Sequence, residues 1–201
     1  AMDLAIVVLA AGQGKRMHSD TPKVLHRLAG RALLAHVLDA ARALAPKRIV
    51  VVYGHGGERV RAAFPDAGLV WVEQRERLGT AHALMQALPE VPQAAQVLVL
   101  SGDVPLISVD TLQRLLKAGA EGKLALLTSD LGDAKGYGRV LRDKNGRIAC
   151  IAEEKDATPA EREIREWYTG FLAAPRAQLE SWLSRIGNRN AQGEYYLTDV
   201  I

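Results

Sequence analysis

Short uninterrupted apolar runs alternate along this chain with longer segments in which apolar residues return every three or four positions. LAIVVLA (Leu4–Ala10) is a β-branched run suited to a strand buried on both faces, whereas RALLAHVLDAARAL (residues 31–44) keeps its apolar side chains on one helical stripe. Further strands are predicted over residues 48–54, 69–73, 96–103 and 124–130, with helices over 58–64 and 80–88 between them. SVDTLQRLLKAG adds a helix with a Ser/Asp start and a stop at Gly119. Strands separated by helices predict a Rossmann-like α/β fold, a mainly parallel sheet flanked by helices. After Asp130 the rhythm changes: GRVLRDKNGRIACIAEE holds two strand-like runs around Asn145-Gly146, which predicts a β-hairpin insertion covering one side of a site. No repeat, low-complexity tract or compositional break divides residues 1–201, so a single domain is expected.

Composition narrows the function classes. With 201 residues, 48% hydrophobic and 24% charged, the chain can bury roughly 70% of its unfolded surface around one core. A net charge of +3, from 26 basic and 23 acidic residues, calls for no nucleic-acid partner and directs attention to local cation clusters. The lone Cys150, in the apolar stretch RIACIA, is expected as a small buried hydrophobe in a reducing compartment. No apolar run approaches the roughly 20 residues that cross a bilayer, and the opening residues enter a strand without a charged, cleavable leader. A soluble cytoplasmic protein with no membrane partner is expected. The Ala before Met2 reads as a cloning remnant and EYYLTDVI as the end of a fragment.

The first chemical signal is LAAGQGKRM, directly after the first strand. Gly12 and Gly14 let backbone N–H groups approach an anion, and Lys15, Arg16 and then Lys23 in TPKVL bring three cations to the same end of the sheet. Ligands of such sheets bind at the carboxyl ends of the strands. A dinucleotide fingerprint fails because Met17 stands where a third glycine is needed, and one residue between Gly12 and Gly14 is too few for a Walker loop. Asp103, closing VLVLSGD, either holds a metal beside phosphate oxygens or caps the next helix.

LAAGQGKRM and PKVL are followed, in order, by YGHGG, EQRERLGTAHA, GDVPLI, GYGRV, EEKDAT and NAQGEYYLTD. Over essentially the whole chain this set resembles the sugar-1-phosphate nucleotidylyltransferases, and within them the uridylyltransferase domain of the bacterial GlmU family. The resemblance implies a fold of the nucleotide-diphospho-sugar transferase type. It also implies a reaction joining UTP to N-acetylglucosamine-1-phosphate, giving UDP-N-acetylglucosamine for cell-wall and lipopolysaccharide precursors, with Mg²⁺ at Asp103. By the same resemblance Leu9, Ala10, Ala11 and Gly12 hold the nucleoside, Arg16 grips the leaving phosphates and Lys23 reaches the α-phosphate. Gln74, Gly79 and Thr80 form the uracil pocket, while Ser101, Gly102, Gly138, Glu153 and Tyr168 border the sugar. A second metal ligand, and a carboxy-terminal left-handed β-helix responsible for acetyl transfer and homotrimer formation, are implied beyond these residues.

Three positions depart from the pattern. Ala81 stands where Gly is common, Ser101 where Tyr is common, and Tyr168 where Asn precedes Thr-Gly. Exchanging volume across the pocket in this way leaves two readings open beside the principal one: a uridylyltransferase with altered sugar-1-phosphate specificity, and a catalytically silent sugar-nucleotide binding protein. His18, His26, His36, His55 and His82 lack metal-ligand spacing, and Trp71, Trp167 and Trp182 read as packing residues.

Overall fold

A computed structural model of the chain describes residues 3–12, 21–66, 68–104 and 107–196. Gly14, Lys15, Arg16, Met17 and His18, singled out above, lie outside the described residues. In chain order the elements begin with β1 (Leu4–Ala10), a 3₁₀ turn (Lys23–Leu25), the two-residue strands β2 (Arg27–Leu28) and β3 (Arg31–Ala32), and α1 (Leu33–Ala43). β4 (Arg48–Gly54), α2 (Glu58–Ala62), β5 (Leu69–Gln74), α3 (Thr80–Ala87), β6 (Gln96–Ser101), α4 (Val109–Ala118) and β7 (Ala125–Ser129) follow. The remainder is β8 (Arg139–Arg142), β9 (Ile148–Ala152), α5 (Pro159–Arg162), β10 (Trp167–Pro175) and α6 (Arg176–Leu183).

One sheet runs β5-β4-β1-β6-β10-β8-β9, with β7 also paired to β10. The contiguous strands β5, β4, β1 and β6 are parallel, and β10 joins β6 antiparallel. The α/β class, the parallel core and the hairpin insertion stand as expected. β1 is apolar throughout because both of its faces are covered. Ile6 and Val8 pack with Leu34, Leu38, Leu98 and Phe171, whereas Ala5 and Val7 pack with Val50, Leu84, Val97 and Leu179. Each fully buried Val, Leu or Ile contributes roughly 1.5–3 kcal/mol relative to leaving it in water. Ser108 caps α4 by accepting from the Thr111 N–H at 3.1 Å, and Gly119 ends it, as the sequence predicts.

β10 is not predicted by the hydrophobic pattern, since WYTGFLAAP lacks a β-branched run. Its register shifts between Tyr168 and Leu172, around Gly170 at φ +90°, and that shift carries it past β7. Its burial is nonetheless deep: Phe171, Leu172, Ala173 and Ala174 are all essentially inaccessible. Cys150 is a correction. It is exposed, because β9 ends the sheet and only Ile151 of the pair turns inward onto Val140 and Tyr168.

The amino-terminal end of β6 is held by Arg176, a charged residue only 4% exposed. Its Nε donates to Val91 O at 3.0 Å, Nη2 to Leu88 O at 2.9 Å, and Nη1 to Gln93 Oε1 at 2.9 Å and Glu180 Oε2 at 2.5 Å. Among the described residues, no helix is long and apolar enough to cross a membrane.

Candidate active site

The carboxyl ends of the parallel strands lie in register. Leu9 is opposite both Val52 and Ser101, and Gly54 is opposite Gln74. Leu9, Ala10, Ala11, Gly12, Gln74, Ser101, Gly102 and Asp103 therefore belong to one end of the sheet, where the chain leaves each strand. The Gly102 N–H donates to Leu9 O at 2.9 Å, tying the turn after β6 to the turn after β1. Among the described residues no atom lies within 4 Å of where a side chain at Gly12 would begin.

Lys23 and Asp103, 80 residues apart in sequence, meet at this end. Nζ lies 2.7 Å from Asp103 Oδ2, with both side chains partly exposed. Ser101 Oγ donates to the other carboxylate oxygen at 2.6 Å. Burial opposes ionisation of Asp103, yet the hydrogen bonds from Lys23 and Ser101 and the Lys23 charge outweigh it and hold the carboxyl below its ordinary value. Ser101, expected at the sugar border, is thus a partner of Asp103, a role its spacing of two on a strand end could have signalled. An ionised oxygen donor suits Mg²⁺, which commonly takes one or two carboxylates plus phosphate oxygens. Among the described residues no group of three His, Cys, Asp or Glu converges, at Asp103 or elsewhere, to hold a divalent ion. Lys23 would have to release Oδ2 to admit it.

Gln74 is buried at the end of β5. Its amide nitrogen donates to Gly79 O at 3.1 Å and lies 2.9 Å from His82 Nδ1, while its carbonyl oxygen accepts from no described residue. His82, which sequence reasoning left as an ordinary helix residue, is the group that orients the amide. Gly79 opens α3 at φ +99°, and a Cβ there would lie 2.5 Å from Tyr195 O, so only glycine fits. The Ala81 N–H donates to the same Tyr195 oxygen at 3.0 Å, clamping the start of α3, with Thr80 its first residue. The Ala81 side chain is wholly buried among core residues and lines no open surface.

Gly138, Glu153 and Tyr168 form a second group on the antiparallel side. The Tyr168 N–H donates to Gly138 O at 2.9 Å, and a Cβ at Gly138 would stand 3.6 Å from both Glu153 carboxylate oxygens. Arg139, missed in sequence, supports them: its buried guanidinium donates to Ala134 O and Tyr137 O at 2.7 and 2.5 Å and to Glu154 Oε1 at 3.3 Å. The two groups adjoin at Ser101, whose Cβ lies 3.5 Å from the position a Cβ would take on Gly170.

Known proteins fit this geometry. The chain is 58% identical over 198 residues to the bifunctional protein GlmU of Chromobacterium violaceum and 59% identical over 198 to that of Azoarcus sp.; each alignment covers 98% of this chain. Against the GlmU of Pseudomonas paraeruginosa it is 57% identical over 200 residues. It spans 43–44% of the length of these relatives. Among solved structures, a UDP-glucose pyrophosphorylase complexed with UDP-glucose superposes with a TM-score of 0.75 at 14% identity, over 99% of this chain and 85% of that one, which establishes a shared fold. Because the model of the MobA-like NTP transferase domain matches residues 6–191, the chain belongs to that family.

Proposed function

We propose that residues 1–201 form a single nucleotidyltransferase domain that joins UTP to a sugar 1-phosphate, N-acetylglucosamine-1-phosphate first among candidates, forming UDP-N-acetylglucosamine and releasing pyrophosphate. The observation that carries the reading is the Lys23–Asp103–Ser101 cluster at the strand end where Gly102 is tied to Leu9. It puts an ammonium and an ionised carboxylate at the strand ends where a triphosphate would lie. In this reading Lys23 leaves Asp103 for the α-phosphate and offsets charge as the sugar phosphate attacks, and Arg16 holds the departing pyrophosphate. Backbone from Leu9 to Gly12 carries the nucleoside. The Gln74 side chain, whose carbonyl accepts from no described residue, selects uracil, with Gly79 and Thr80 closing the pocket. Asp103 would hold Mg²⁺, which when bound supplies neutralising charge to the phosphate oxygens. Gly102, Gly138, Glu153 and Tyr168 form the sugar wall, Ser101 joining it to Asp103.

This is the uridylyl-transfer half of the GlmU resemblance, set in the cytoplasm and in cell-wall precursor synthesis. Acetyl transfer and trimer formation are no part of the proposal for these residues. A product assay with UTP, other nucleoside triphosphates and several sugar 1-phosphates in the presence of Mg²⁺ tests it. Pyrophosphate release restricted to UTP is expected. Nucleotide binding without release would favour the silent binding protein, and release with glucose-1-phosphate alone would favour the altered specificity.

A further inference from the structure

A cavity of about 450 Å³ lies between the β2–β3 hairpin, the start of α1 and the end of α2. That volume falls within the roughly 300–1,000 Å³ of small-molecule sites. Arg27, Arg31 and Arg59 line it with Leu25 and Phe64, and no carboxylate does so among the described residues. Asp39, outside the lining, accepts from Arg31 Nη1 at 2.5 Å and offsets that one charge. Leu25 and Phe64 pack against the core around β1, so the apolar part of the wall is continuous with the interior. Small side chains at Ala32, Ala35 and Ala63 leave the room. The hairpin is braced: His36 Nε2 donates to Leu28 O at 2.7 Å, and the Leu33 N–H donates to His26 O at 2.8 Å. Its two turn residues, Ala29 and Gly30, both hold positive φ, +52° and +79°. None of the residues assigned above to base, phosphate, metal or sugar lines this cavity.

We propose that this cavity is a second binding site, for an organic phosphate whose charged head meets the arginines and whose apolar body lies against Leu25 and Phe64. A guanidinium fork fits both phosphate and carboxylate. Three arginines, with no carboxylate among the described lining residues, favour the more highly charged of the two. The apolar wall then separates an organic phosphate from the bare ion, because only the former removes hydrocarbon surface from water. With the hairpin already braced, little ordering is left to be done on binding. The cavity stands apart from the strand ends, so its ligand is additional to the nucleotide and sugar proposed there.

The test is a heteronuclear NMR titration of the whole chain with phenyl phosphate, inorganic phosphate and benzoate, repeated on Arg27→Gln, Arg59→Gln and Lys23→Ala. Phenyl phosphate should shift the amide resonances of Gly30, Ala32, Ala35 and Ala63 in one saturating transition. Inorganic phosphate should bind about tenfold more weakly, and benzoate about threefold more weakly. Arg27→Gln and Arg59→Gln, both at exposed positions, should each weaken phenyl phosphate about five- to tenfold with the thermal midpoint unchanged. Lys23→Ala should leave its affinity within about threefold. Inorganic phosphate bound as tightly as phenyl phosphate would mean an adventitious ion only and overturn the proposal. Benzoate bound as tightly would overturn the assignment to phosphate. Shifts centred on Leu9 and Ser101, or binding lost in Lys23→Ala, would put the ligand at the strand ends and overturn the second site. An affinity that neither arginine variant changes, or no shift at about 10 mM phenyl phosphate, would overturn it as well.

Discussion

The parallel and antiparallel halves of the sheet divide the proposed labour unequally. β5, β4, β1 and β6 are covered on both faces by extensive apolar layers, and their carboxyl ends carry the residues assigned to nucleotide and phosphate. β8 and β9, beyond β10, rest on a cluster of three buried residues, Val140, Ile151 and Tyr168, and carry Gly138 and Glu153 of the proposed sugar wall. The proposed triphosphate site is thus mounted where displacement is costly, and the proposed sugar wall on the half with the smaller apolar cluster. Of the departures, Tyr168 belongs to that smaller cluster, whereas Ser101 ends β6 in the parallel half.

The contrast can be broken at several points. The largest effect is expected at Lys23. Lys23→Ala should cut pyrophosphate release roughly 10³-fold while leaving the unfolding midpoint nearly unchanged, since its ion pair is partly exposed. Turnover close to normal would remove Lys23 from the phosphate site. Next, Leu98→Ala in the parallel half should cost about 2–5 kcal/mol in urea unfolding, against less than about 1 kcal/mol for Ile148→Ala in the hairpin, where Ile148 is only partly buried. Equal losses would erase the distinction between the halves. Gly79→Ala should cost about 1–3 kcal/mol, through its positive φ and its collision with Tyr195 O. Nucleotide binding would weaken in parallel, as titration would reveal.

The smallest effect concerns pH. The Arg142 hydrogen bond, helped by Thr128 and opposed by burial, holds the Glu166 carboxyl below its ordinary 4.5. A depressed folded-state value means stability that is present above the unfolded value and lost as pH falls through the folded one. Glu166→Gln should therefore cost about 0.5–1 kcal/mol at pH 7, with the gap to the unaltered chain closing progressively below pH 4.5. A gap of constant size down to strongly acidic pH would show that charge plays no part.

The parallel half was legible because burial on both faces forces continuous β-branched runs, and because each helix between them carries its own stripe. Ser108 and Gly119 marked α4 to the residue for the same local reason: a cap satisfies backbone groups within its own turn. β10 was not legible, since its place depends on pairing with β6, β7 and β8 rather than on its own pattern. Cys150 misled because apolar neighbours do not reveal which face of an edge strand meets water. Within the site, glycine and cation spacing pointed to Gly12 and Lys23, and the family resemblance supplied Gln74, Glu153 and Tyr168. The hold of His82 on Gln74 and the reach of Arg139 to Glu154 are contacts between elements that no local signal carries, whereas the partnership of Ser101 with Asp103 spans only two residues.

Arg176 gives the sheet a mechanical asymmetry. One guanidinium bonds three residues of the 88–93 stretch before β6 and Glu180 of its own helix, whereas the opposite rim is closed by several separate ties, among them Lys23 to Asp103, Gln74 to Gly79 and Gly102 to Leu9. In the proposed reaction the domain would act as a cantilever, anchored at one margin and unfastened at the other by exchange of partners, so that capturing a polyanion would demand rearrangement at the rim and none of the beam beneath it.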